Sequence, residues 1–75
     1  MQHRLKIRRH GARAWLLSDK STGVEIGGIQ YEHAPDGNHY QPWILVDGDR
    51  RTLDHALPQL DMAARAIEDA LRRPL

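Results

Sequence analysis

The last third of the chain, Leu57 to Arg73, holds one helical stripe, and everything before it reads as β-structure for that helix to cover. Leu60, Ala64, Ile67 and Leu71 recur at steps of four, three and four, which places them on one face of a 3.6-residue helix. Ala63, Ala66 and Ala70 flank the stripe with methyl groups, so the surface beneath can approach the helix backbone closely. The opposite side carries Asp61, Arg65, Glu68, Asp69 and Arg72. Asp61–Arg65 and Glu68–Arg72 set an acid four residues before a base, an order that stabilises a helix by about 0.2–0.5 kcal/mol per pair. Arg72 and Arg73 suit the negative end of the helix dipole, and Pro74 stops the helix. Thr52 or Asp54 is placed to cap its start, with Pro58 in the first turn or at its start.

Upstream, His3 to Arg9 alternates, with Leu5 and Ile7 on one side and Arg4, Lys6 and Arg8 on the other. His10-Gly11 reads as a two-residue hairpin turn, which sets Arg9 opposite Ala12. In that register Leu5, Ile7, Ala12, Ala14 and Leu16 share the face that the helix covers. Arg4, Lys6, Arg8, Arg13, Trp15 and Leu17 share the other. Asp19 to Gly23 is a turn cluster. Val24 to His33 resumes the alternation with Val24 and Ile26 inward. Gly27-Gly28 interrupts it, which suggests a bulge or a close backbone approach. Ala34-Pro35-Asp36-Gly37-Asn38 is the strongest turn signal in the chain. A fourth strand follows, Tyr40 to Val46, where Pro42 predicts an edge position or a strand that begins only after it. Asp47-Gly48 turns again, and Arg50 to Leu53 adds a short fifth strand.

The expected fold class is α+β: an antiparallel β-meander of three to five strands with one C-terminal helix packed on one face. It forms a single domain, 1–75, with the meander in 1–53 and the helix in 54–73. A domain of 75 residues is near the size where one core supplies only a few kcal/mol. Eight alanines and no phenylalanine leave the heavy core atoms to Trp15, Trp43, two tyrosines and the aliphatic residues. Partner binding or self-association would supplement that core.

Net charge is +1, but it is segregated. Residues 1–20 hold six Lys or Arg against Asp19, while residues 21–49 hold five Asp or Glu and no Lys or Arg. Such a chain neutralises itself across neighbouring strands or offers opposite patches to different partners. The absence of Cys fits a reducing, cytoplasmic setting, and no signal peptide or membrane span is legible. Arg outnumbers Lys nine to two, which reads as a GC-rich bacterial coding background and suits a bacterial or phage protein.

One helix covers one side of a sheet, yet Trp15, Leu17 and half of Trp43-Ile44-Leu45-Val46 must point to the other. The expectation is therefore a non-catalytic protein-binding module, of the small regulator or inhibitor type, docking through its helix-free face. Arg4, Lys6, Arg8, Arg13, Trp15 and Leu17 would be the contact residues, since a Trp beside Arg is hot-spot composition. The partner would present acidic groups around an apolar pocket, or be a second copy of the chain.

The same residues allow nucleic-acid binding, with cations for phosphates and an aromatic ring for stacking. Leu5-Lys6-Ile7-Arg8-Arg9-His10-Gly11, followed by Trp15, Asp19 and Thr22-Gly23, resembles the opening strands of the arm-type DNA-binding domains of phage integrases. That resemblance implies a small sheet against a C-terminal helix and contact with DNA. The chain departs from it by inserting Gln30 to Asp49 before its helix.

Catalysis is not expected. His3, His10, His33, His39 and His55 are scattered. His33 and His39 could meet a metal with Asp36, but no further ligand stands at a credible spacing. Asp47 and Asp49 are explained by turn chemistry, and no nucleophile motif or phosphate loop is present. No cofactor is implied.

Overall fold

The computed structural model describes residues 5–72. In chain order it contains β1 (Leu5–Arg9), β2 (Ala14–Asp19), β3 (Glu25–Ala34), β4 (Gly37–Val46), β5 (Asp49–Thr52) and α1 (Leu60–Arg72). The strands form one antiparallel sheet in the order β1-β2-β3-β4-β5, and α1 packs against β3 and β4. This is the α+β meander with a single C-terminal helix that the pattern predicts. Among the described residues no helix is long and apolar enough to cross a membrane.

Local chemistry sets three of the turns. Asp19 Oδ1 accepts hydrogen bonds from the N–H groups of Ser21 (2.7 Å) and Thr22 (3.2 Å) and so closes the β2–β3 turn. Pro35 and Asp36 link β3 to β4, with Ala34 paired to Gly37. Between β4 and β5, Asp47 (φ 53°) and Gly48 (φ 84°) both take positive φ, the combination that a type I′ turn requires.

The first hairpin departs from the two-residue turn. Residues 10–13 separate β1 from β2, and Arg9 pairs with Trp15 instead of Ala12. The His10 N–H donates to the Ala14 carbonyl at 2.9 Å. Arg9 reaches back into the loop, donating from Nε to the Gly11 carbonyl and from Nη2 to the Ala12 carbonyl, each at 3.2 Å. The register is displaced by three residues, and an odd displacement turns every β2 side chain over. Trp15 and Leu17 therefore join Leu5 beneath the helix, while Ala14 and Leu16 pass to the face of Lys6 and Arg8. The physical reason is volume. The short turn would place two alanines and one leucine under α1; the longer loop buries Leu17 fully and covers the Trp15 indole in part. Full burial of a leucine is worth about 1.5–3 kcal/mol, and the indole adds its covered share.

Other boundaries move for equally local reasons. Val24, expected to point inward, precedes β3 and is exposed. Leu17 pairs with Gly27 and Ser18 with Glu25, so Ile26 is the extra residue of a bulge, and it packs against the core. Pro42 lies inside β4, a central strand, rather than at an edge or before the strand starts. Its missing N–H falls on the side of β5, which ends at Thr52. There the Leu53 N–H donates to the Pro42 carbonyl at 2.9 Å. The bond that Pro42 cannot return comes instead from Gln41, whose Nε2 donates to the Leu53 carbonyl at 2.8 Å.

The helix starts at Leu60, not at residue 54. Leu57 exchanges two backbone hydrogen bonds with Tyr40, at 2.7 and 2.9 Å, which holds the segment extended. Pro58 then disfavours helix at the residue before it. Thr52, in β5, and Asp54 are thus too far upstream to cap α1, and Pro58 lies ahead of it. Glu68 and Arg72 form the expected ion pair at 3.0 Å, whereas Asp61 and Arg65 form none among the described residues. Arg73 and Pro74 lie outside the described residues. Leu17, Ile29, Ala63 and Ile67 are fully buried and make the centre of the core, with Trp15, Tyr40 and Ile44 packed around them.

Candidate protein-binding surface

No element covers the second face of the sheet among the described residues, yet it holds Trp43, only 5% exposed. Trp43 pairs with Gly28 on one side and Thr52 on the other. Its ring lies over Gly28: a Cβ added there would meet Trp43 Cζ2 and Cε2 and stand 2.7 Å from the Trp15 carbonyl oxygen. The outer side of the ring is covered by the Arg50 guanidinium, 3.9 Å from the ring centroid. The indole is thus held between backbone and a cation. Leu16, opposite Gly28, and Leu45, opposite Arg50, flank it half-buried. Lys6 and Arg8 stand exposed at the β1 end of the same face.

The expected contact residues are divided by this geometry. Lys6 and Arg8 occupy the helix-free face, and Arg4 lies outside the described residues. Arg13 is exposed in the loop between β1 and β2, so Arg8 faces Leu16 and not Arg13, which a two-residue turn would set opposite it. Trp15 and Leu17 are corrected outright: both belong to the core beneath α1. Leu17 is fully buried. Trp15 sits 5.7 Å from the Tyr40 ring, which in turn lies 5.1 Å from Tyr31, and Arg9 is 5.8 Å above the indole.

Leu16, Trp43, Leu45 and Arg50 take the vacated places. The sequence held a signal for Trp43: a glycine pair inside a strand leaves a flat patch on which an aromatic ring of the next strand can rest. Lys6, Arg8 and Arg13 have no ion-pair partner among the described residues.

The histidines near the β3–β4 turn are engaged in polar contacts of that hairpin. His33 Nδ1 lies 3.3 Å from Asn38 Oδ1, which also accepts from the Tyr31 hydroxyl at 2.8 Å. His39 Nε2 lies 3.1 Å from Asp36 Oδ1. Among the described residues no group of three His, Cys, Asp or Glu is placed to hold a metal ion.

No protein-family model matches the chain, no curated protein matches its sequence and no solved structure matches it.

Proposed function

We propose that this chain is a non-catalytic protein-binding module of the small regulator or inhibitor kind, acting in the cytoplasm and docking through the helix-free face of its sheet. The observation that carries the proposal is the apolar strip Leu16–Trp43–Leu45, set beside Lys6 and Arg8 and covered on its central ring by Arg50. Such a strip suits an interface core, and the cations around it suit a partner with acidic groups at its rim. The contact set is thus Lys6, Arg8, Leu16, Leu45 and Arg50, with a second copy of the chain as the other occupant to test.

A protein captured with the wild-type chain, purified and reconstituted, should bind Leu16→Glu at least tenfold more weakly. The variant should stay folded, with its thermal midpoint lowered by no more than about 10 °C, because Leu16 is half-buried and outside the core. Equal affinity for the variant overturns the proposal. Light scattering of the chain alone tells whether the occupant is a second copy.

The unpaired state of Lys6, Arg8 and Arg13 among the described residues favours a second reading, in which the basic first hairpin binds nucleic acid. Affinity for a DNA duplex would then fall by orders of magnitude between about 50 and 200 mM salt. Arg8→Glu would abolish it, while Leu45→Glu, three strands away on β4, would do little.

A further inference from the structure

The sheet has two edges, and they differ. At the far edge, β5 is four residues long and ends where Leu53 and Gln41 complete its bonding to β4. At the near edge β1 has no partner on its outer side among the described residues. The hydrogen bond from the His10 N–H to the Ala14 carbonyl fixes which of its groups point outward. Antiparallel pairs alternate between bonded and non-bonded. Counting back from His10–Ala14, the pairs Arg8–Leu16 and Lys6–Ser18 are bonded, whereas Leu5, Ile7 and Arg9 stand at non-bonded positions. The N–H and C=O groups of those three residues therefore face away from the sheet.

The side chains around this edge are sorted as well. Leu5 and Ile7 lie on the helix side, where a groove of about 440 Å³ runs between β1 and Ala64, Arg65 and Glu68 of α1. Ile7 is 42% exposed. Lys6 and Arg8 project on the opposite side, exposed.

We propose that β1 takes up an extended segment of a partner protein as a sixth, antiparallel strand, and that this segment alternates apolar with acidic residues. Residues directly opposite each other in a sheet share a face. Partner residues across from Leu5 and Ile7 would enter the groove, so they are apolar. Those across from Lys6 and Arg8 are acidic. Charge also selects against a second copy. Antiparallel pairing of two β1 strands through their outward groups, centred on Ile7, sets Lys6 against Arg8 of the other chain twice over. Shifting the pairing by two residues instead sets Lys6 against Lys6 or Arg8 against Arg8. Like charges in those positions are destabilising, and basic residues on an edge strand guard it against its own kind. This binding mode uses the edge and shares only Lys6 and Arg8 with the helix-free face.

The test uses the full chain and two blocked heptapeptides, one alternating valine with glutamate and one alternating valine with lysine. Affinity is read by fluorescence anisotropy, and backbone amide exchange by NMR. The glutamate peptide should bind at least tenfold more tightly and slow exchange at the Ile7 and Arg9 amides. Lys6→Glu combined with Arg8→Glu should invert the preference between the peptides. Ile7→Pro removes an outward N–H that β2 does not use, so it should weaken binding at least tenfold with the sheet intact. Should that variant fail to fold, the charge inversion decides the matter by itself. Leu45→Glu, on β4 and three strands from Lys6 and Arg8, should leave peptide binding unchanged, which separates this edge from the helix-free face. Four outcomes overturn the proposal: no binding of either peptide, equal affinity for both, exchange protection confined to Leu16 and Leu45, or a two-chain solution mass without peptide that Ile7→Pro reduces to one.

Discussion

Trp15 and Trp43 sit on opposite faces of one sheet, each with an arginine against its ring, yet the first is enclosed by a helix and the second by a glycine and a guanidinium. On the helix side, Trp15 packs with Leu17, Ile29 and Ile67 in a core that spans two layers. On the open side, Trp43 is buried within one layer, because Gly28 gives up its side chain and Arg50 folds over the ring. A chain with a single helix can therefore bury Trp43 and cover Trp15 in part. The cost falls on backbone freedom, since a glycine in a strand interior is unfavourable until something packs upon it.

The largest expected effect tests the helix side. Leu17→Ala leaves a cavity among Ile29, Ala63 and Ile67 and should destabilise the fold by about 2–5 kcal/mol. That is a large share of the roughly 4–11 kcal/mol expected for a domain of this size. Leu16→Ala, one residue away on the open face, should cost less than about 1.5 kcal/mol. Urea unfolding of the two variants measures the difference. Equal losses would mean that the faces are not divided as the register divides them.

That division is also where sequence reasoning parts from the structure. The amphipathic stripe, the turn residues and the strand count are local signals, and each is legible in the chain. The β1–β2 register is not. A His-Gly pair looks like a two-residue turn, and the alternation in Leu5–Arg9 and Ala12–Leu17 fits either register by sign alone. What decides between them is the relative volume of Trp15 and Leu17 against Ala12, Ala14 and Leu16, together with the loop bonds made by Arg9. Volume is weighed only when the helix is in place. The helix start is hidden in the same way, because Leu57 is claimed by Tyr40 across the chain and no local propensity records it. Pro42 misleads for want of a view of Gln41, whose side chain completes the ladder.

A middle-sized effect sharpens the open side. Gly28→Ala sets a methyl group against the Trp43 ring and close to the Trp15 carbonyl, one of them backbone that cannot yield. The substitution should cost about 1–3 kcal/mol as an overpacking change. It should also lift the Trp43 indole, seen as faster exchange of its ring N–H. Gly11→Ala makes a useful contrast. It has free space around it but a φ of +89°, so its cost is backbone strain alone and Trp43 should not respond.

The smallest effect decides whether the cation is part of the enclosure or merely lies upon it. Arg50→Gln removes the guanidinium over Trp43 and should cost about 0.5–1 kcal/mol, the range for a partly exposed cation–π contact. The Trp43 indole N–H should exchange faster while that of Trp15 does not change, since Tyr40 and the core hold Trp15 in place. Arg50→Lys keeps the charge but not the plane, so it should restore stability only in part. Arg9→Gln is the matching change across the sheet. At 5.8 Å from its ring, Arg9 contributes less to covering Trp15 and more to the loop through its bonds to the Gly11 and Ala12 carbonyls. Its loss should therefore register in exchange of the His10–Ala14 loop amides rather than at the indole. If Arg50→Gln leaves Trp43 as protected as before, the glycine seat alone encloses that ring. The open face would then present Leu16 and Leu45 to a partner without a guanidinium to move aside.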